Sequence, residues 1–182
     1  MSRTDARIRY TQGVLKQALL SFLQEKPINK ITVKEVCERA ELNRATFYAH
    51  YSDCFALLES IEEDLLEAFQ QSLKLVDSFD VTALIEAIYT MIEQQQEACR
   101  VLIFQNVCPN VLRRMISLAR GKSIAYWKQH LHRVTDAELE MLYTHLSNGL
   151  MHVVVEGYEK YSREEVVRFV NRIVQCSLSQ FQ

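Results

Sequence analysis

The run Arg44-Ala45-Thr46-Phe47-Tyr48-Ala49-His50 carries the side-chain chemistry that duplex DNA demands. Arg binds guanine through paired hydrogen bonds, a small Ala permits close approach, and Thr bonds a base or phosphate or touches a thymine methyl. Tyr48 and His50 can donate to phosphate oxygens, contacts that fix a protein on the duplex without reading sequence. Upstream, Thr32 stands near Lys30 and Lys34, at a helix start where free N–H groups and the dipole favour a phosphate. Arg3, Arg7 and Arg9 add cationic reach toward the backbone or a minor groove.

That chemistry works only if a helix presents its first turn outward, and the neighbouring residues punctuate the chain accordingly. Thr32 with Glu35 forms a capping box, and Ile31 with Val36 forms the hydrophobic staple across it, so the spacing predicts a short helix over Val33 to Ala40. Glu41-Leu42-Asn43 interrupts it. Asn43 then caps a second short helix, with Leu42 and Phe47 in staple positions and with Phe47 and Tyr51 as its core anchors. Asp53 caps a third start, from which Leu57 and Leu58 run into a long acidic helix. Two short helices joined by a three-residue turn make a helix-turn-helix, whose second helix enters the major groove.

The composition agrees with a helical scaffold. The chain has 182 residues, 48% hydrophobic and 24% charged, enough for one domain or two small units sharing a core. Only 4 Gly and 2 Pro are present, which excludes glycine-rich phosphate loops and disfavours sandwiches full of turns. Apolar stripes at spacings of three and four predict further helices: Val14 to Leu23, Leu57 to Leu73, and Leu84 to Ile92 starting near Asp80 or Thr82. Another opens at Pro109 and carries through Leu131, with a bend at Gly121. Two more follow, one capped by Asp136 and one by the Ser162/Glu165 box. The net charge of −2 conceals an asymmetry. Residues 1–50 carry 9 basic and 5 acidic side chains, residues 51–100 carry 2 and 11, and residues 101–182 carry 10 and 7. A basic head followed by an acidic helix suits a nucleic-acid reader on an effector body.

Three stretches carry a family resemblance: Ile31-Thr32-Val33-Lys34-Glu35-Val36-Cys37, then Ala45-Thr46-Phe47-Tyr48-Ala49-His50-Tyr51, then Cys54-Phe55-Ala56-Leu57. Over residues 8–60 the chain resembles the TetR/AcrR (tetracycline-repressor type) transcriptional regulators. The rest is similar in length and helical content, with the general pattern of the regulators of small-kinase operons. The resemblance implies an all-α fold of about nine helices, with a three-helix DNA-binding domain over 1–53 and a helical ligand-binding and dimerisation domain over 54–182. It implies phosphate contacts from Thr32, Tyr48, His50 and Tyr51, and base or backbone contacts from Arg44, Ala45 and Thr46. It also implies that the last two helices pair with a second copy. Two positions depart from the pattern. Cys54 stands where the family commonly has a phosphate-contacting Lys, and Glu41 replaces the usual turn glycine, at about 1 kcal/mol if φ is positive there.

The stripes over Leu139 to Val154 and Val166 to Phe181 serve equally as a dimer interface or as internal core faces. Tyr89, Met91, Phe104, Met115, Tyr126 and Trp127 are candidate walls of a ligand pocket, against the plainer role of core residues. His130 with His132, and His145 with His152, lack a third ligand at metal spacing, so neither metal nor cofactor is expected. Five Cys without a CxxC pair read as reduced, mostly buried thiols, with Cys99 and Cys108 as the alternative of a redox sensor. No targeting or membrane-spanning segment is apparent, which places the protein in the cytoplasm. The expectation is a non-enzymatic, homodimeric regulator that binds a palindromic operator in double-stranded DNA. It would act as a repressor released by a small-molecule or protein effector. The competing classes are an enzyme on a helical scaffold, and a helical interaction module or co-activator that has lost DNA binding.

Overall fold

The structure, a computed structural model, describes residues 3–74 and 81–181, and of residues 3, 4 and 81 the backbone alone. The side chain of Arg3 and the helix start expected at Asp80 therefore lie outside the described residues. Among those described, the regular elements are nine α-helices, two 3-10 turns and one π turn, with no strand.

Helix α1 (Arg3–Leu23) turns Leu15, Leu19, Phe22 and Leu23 into the core. It ends ahead of Pro27, which lacks an N–H and disfavours helix in the residue before it. A 3-10 turn (Ile28–Lys30) leads to α2 (Val33–Arg39) and α3 (Arg44–Tyr48). Helix α4 (Cys54–Lys74) starts where Asp53 accepts from the Ala56 N–H at 2.8 Å, and buries Leu57, Ile61, Leu65 and Phe69 at helical spacing. Then follow α5 (Val81–Gln94) and α6 (Gln96–Cys99), which runs on into the π turn over Arg100–Phe104. Helix α7 (Pro109–His130) opens on proline, whose missing N–H is one a first turn leaves spare. The last two are α8 (Asp136–Gly157) and α9 (Arg163–Leu178).

Two expectations about α7 and α8 need correction. Helix α7 is helical through Gly121 and stops at His130, while the buried Leu131 is already extended. The cap of α8 is Thr135 rather than Asp136. Thr135 Oγ1 accepts from the Glu138 N–H at 3.2 Å, and the Glu138 carboxylate accepts from the Thr135 N–H at 2.8 Å. Asp136 is instead the first helical residue, where its negative charge suits the dipole.

The chain divides into two compact units. The first is Met1–Leu65 with Glu97–Val107, and the second is Leu66–Gln96 with Cys108–Gln182. In the first, Leu15, Leu19, Val36, Phe47 and Leu57 are fully buried, as are Cys99, Val101 and Leu102 of the later segment. Gln17 donates to Glu97 at 3.2 Å and Arg100 donates to Gln24 at 3.0 Å, joining that segment to α1. In the second, Trp127, Leu131, Leu139, Tyr143 and Leu146 form a buried cluster. Arg163 ties α9 to α5 by pairing with Glu86 and Glu93 while its guanidinium lies 5.1 Å from the Tyr89 ring.

Candidate nucleic-acid interface

The interface is built from caps. Thr32 Oγ1 accepts from the Glu35 N–H, and the Glu35 carboxylate accepts from both the Thr32 N–H at 2.9 Å and the Thr32 hydroxyl at 2.8 Å. Lys26 reaches the same carboxylate at 2.7 Å. The Lys26 contact first, and the Thr32 bonds after it, hold the Glu35 carboxyl down at about 2. Glu35 is thus an anion at the start of α2, but one that Lys26 neutralises in place. Lys26 leaves no signal in the sequence, because its partner lies nine residues away and no helical spacing links them.

At the other end of α2 the chain turns sharply. Leu42 N–H donates to the Cys37 carbonyl at 2.9 Å and Glu41 N–H to the Glu38 carbonyl at 3.3 Å, the paired bonds of a Schellman motif. Glu41 sits at φ 54°, in the left-handed region that favours glycine. The turn glycine's replacement therefore falls on a residue that needs positive φ. This turn sets the angle at which α3 leaves α2.

Asn43 caps α3, its side-chain oxygen accepting from the Thr46 N–H at 2.7 Å and the Thr46 hydroxyl at 2.9 Å. Phe47 is fully buried beneath the helix, its ring 5.6 Å from that of Tyr48 and 6.0 Å from that of Tyr51. With its back so anchored, α3 presents Arg44 and Ala45 to solvent and leaves Tyr48 57% exposed. Lys30, Arg44 and Tyr48 hold no side-chain hydrogen bond or ion pair among the described residues, so their donors are uncommitted. Lys34 pairs with Glu38 at 3.7 Å on an open surface, a contact easily exchanged for phosphate.

Other candidate residues lie differently. The Thr32 and Thr46 hydroxyl protons go to Glu35 and Asn43, leaving Thr46 its methyl group and lone pairs to offer a base. His50 lies past the end of α3, half-buried, with its ring 6.3 Å from that of Tyr51. Tyr51 stands apart from the exposed surface: it is 8% exposed, and its hydroxyl accepts from Ser60 at 3.3 Å. Cys54 is also turned inward, and burial pushes its thiol up to about 11. Arg7 and Arg9 are exposed on α1 itself, so they belong to a helix and not to an extended arm. Arg39 is engaged within the unit, with its guanidinium 3.8 Å from the Phe22 ring and bonds to Ser21 and Glu25.

In the second unit, a cavity of about 70 Å³ is walled by residues of α4, α5, α7, α8 and α9. Met115 and Trp127 line it. Tyr89, Phe104 and Tyr126 do not. Tyr89 packs on Tyr158 and under Arg163, Tyr126 stacks on His130 at 4.2 Å, and Phe104 belongs to the π turn of the first unit. Met91 is buried elsewhere in the core. Ser123, which no motif or spacing marks in the sequence, is a wall. On the outside, Met141, Tyr161, Phe169 and Ile173 leave large apolar surface exposed on α8, α9 and the turn between them. An open groove of about 430 Å³ there runs from Val153 and Gly157 to Val166 and Phe169. Among the described residues no three His, Cys, Asp or Glu side chains cluster as a metal site, and no helix is long and apolar enough to cross a membrane.

This architecture is that of the TetR-type transcriptional regulators. A TetR transcriptional regulator from Streptococcus agalactiae 2603V superposes with a TM-score of 0.69 at 23% identity, covering 94% of this chain and 97% of that one. The dihydroxyacetone kinase operon activator DhaS superposes with a TM-score of 0.64 at 15% identity, covering 94% and 98%. An uncharacterized HTH-type transcriptional regulator of Bacillus subtilis (strain 168), YxbF, is 37% identical over 62 residues. That match takes in 34% of this chain and only 16% of the relative. No protein-family model matches the chain.

Proposed function

We propose that the protein is a homodimeric, DNA-binding regulator of transcription that acts by binding rather than catalysis, in the cytoplasm. In this reading residues 1–53 read the duplex, while residues 54–182 dimerise and hold an effector. Thr32, Lys34, Tyr48 and His50 meet phosphates, Tyr51 supports them from beneath, and Arg44, Ala45 and Thr46 meet bases. The observation that carries the reading is α3 itself. Five residues long, it is capped by Asn43, pinned by the buried Phe47, and leaves Arg44 and Tyr48 exposed with no side-chain hydrogen bond or ion pair among the described residues. Short as it is, one such helix reads few bases, so a two-fold pair on a palindromic operator is the economical arrangement. The operator-bound dimer represses, and an effector, small molecule or protein, releases it.

Selection of bound sequences from a random duplex pool, followed by a shift assay over a range of salt, tests this. A palindromic consensus whose affinity falls steeply with salt is expected. A flat response at low salt overturns DNA binding. A second reading, an interaction module or co-activator of the same fold, is favoured by Cys54, which offers no donor to a phosphate. The flat response would be its signature.

A further inference from the structure

We propose that a groove on the first unit binds an organic cation, a guanidinium group on a short alkyl chain, which Tyr10, Glu41 and Glu97 hold. The three line one open groove of about 420 Å³ beside the turn between α2 and α3. Val14 and Ala18 of α1 supply its apolar wall, suited to the alkyl chain. Gln17 holds Glu97 in place, donating to one carboxylate oxygen at 3.2 Å. The other oxygen has no partner among the described residues.

The side chains of Tyr10 and Glu41 have no task inside the unit. The Tyr10 residue is 71% exposed, and neither side chain makes a hydrogen bond, ion pair or ring contact among the described residues. Glycine would hold the turn at φ 54° without strain, so a carboxylate kept there points to a contact outside the chain. A guanidinium suits the pair: its plane stacks on an aromatic ring and its N–H fork binds a carboxylate. Arg39, the one cation among the described walls, is already engaged. Its guanidinium lies 3.8 Å from the Phe22 ring, bonds Ser21 at 2.9 Å and pairs with Glu25 at 3.5 Å. Two wall carboxylates against one engaged guanidinium leave the groove favouring positive charge.

Titration of the full chain without DNA, at fixed ionic strength and followed by backbone amide NMR, compares butylguanidinium with 1-butanol and butanoate. A saturable shift for the cation alone, centred on the amides of Tyr10, Glu41 and Glu97, is expected. Tyr10→Ala and Glu41→Gly should each weaken binding about three- to fivefold. Because Glu41→Gly relieves the left-handed strain, a loss of binding in that variant cannot come from unfolding. Nα-acetylarginine amide carries the same head as a peptide side chain. Weaker binding than butylguanidinium assigns the groove to a free cation, and tighter binding assigns it to an arginine of a partner protein; both keep the site. Equal binding of butanoate or 1-butanol, shifts centred elsewhere, or no saturation would overturn it. Wild-type affinity in Glu41→Gly would overturn the role of Glu41. Any effect of the guest on α3, whose angle the Glu41 turn sets, rests on the regulatory reading, whereas its binding does not. Since no duplex is present, a failure here is distinct from a failure of DNA binding.

Discussion

Glu41 is the residue at which local conformation and side-chain type disagree. An L-residue held in the left-handed region costs about 1–2 kcal/mol, yet here the geometry is required by the bonds of Glu41 and Leu42 to the end of α2. Glu41→Gly should therefore raise the unfolding free energy by about 1 kcal/mol, part of the gain being lost to glycine's freer unfolded chain. Urea denaturation measures it, and a fall in the midpoint would mean that the carboxylate has a role of its own. Glu35 makes a pH-dependent contribution of the opposite kind. Its folded carboxyl titrates at about 2 against an ordinary 4.5, so the Lys26 and Thr32 bonds stabilise fully above about pH 4.5 and fade as pH falls toward 2. The stability gap between wild type and Glu35→Gln should accordingly be widest at neutral pH and narrow at pH 3. A gap that stays constant with pH would show that the carboxylate's charge contributes nothing.

At the scale of elements, stops and starts are written in the caps, and these were largely legible. Thr32, Asn43, Asp53 and Ser162 each bond the N–H expected of them. Thr135 carries the same Thr-x-x-Glu signal but was masked by Asp136 beside it, itself a good cap type. The π turn at Arg100–Phe104 left no signal, since a wide turn has no side-chain period of its own and its residues are simply apolar. Nor could spacing tell which aromatics wall a cavity: Tyr126 and Trp127 are neighbours in sequence, but only Trp127 faces it. The packing of these elements also decides the chemistry of the thiols. Burial pushes Cys54 up to about 11, Cys99 up to about 12, and Cys37 upward as well, while Cys176 is exposed on α9. Ellman's reagent on the native protein should modify Cys176 first, the half-buried Cys108 more slowly, and Cys37, Cys54 and Cys99 only on unfolding. Fast reaction at Cys99 would argue that the segment after α6 opens readily.

For the whole molecule, a net charge of −2 would discourage any approach to DNA were it spread evenly. It is instead sorted along the chain, with the basic excess in the first 50 residues and the acidic excess in the next 50. Affinity should then come from a few released counterions at the basic end, and dimerisation should double their number. Lys30→Ala removes one uncommitted cation per subunit, so the slope of log K against log salt should fall by about 2 for the dimer, one for each copy. Arg44→Ala should instead cost about 1–3 kcal/mol per half-site and relax the base preference there. In the proposed dimer, two copies would meet at the exposed apolar surface around Phe169 and Ile173. Ile173→Glu places a charge on that surface, without disturbing the buried Val170 and Val174 on the inner side of α9. Sedimentation equilibrium should find this variant monomeric with an unchanged helical spectrum. Its affinity for the full palindrome should drop to that for an isolated half-site, and its salt slope should halve. A variant that stays dimeric and binds as before would move the interface elsewhere on the second unit, while leaving the reading of α3 untouched.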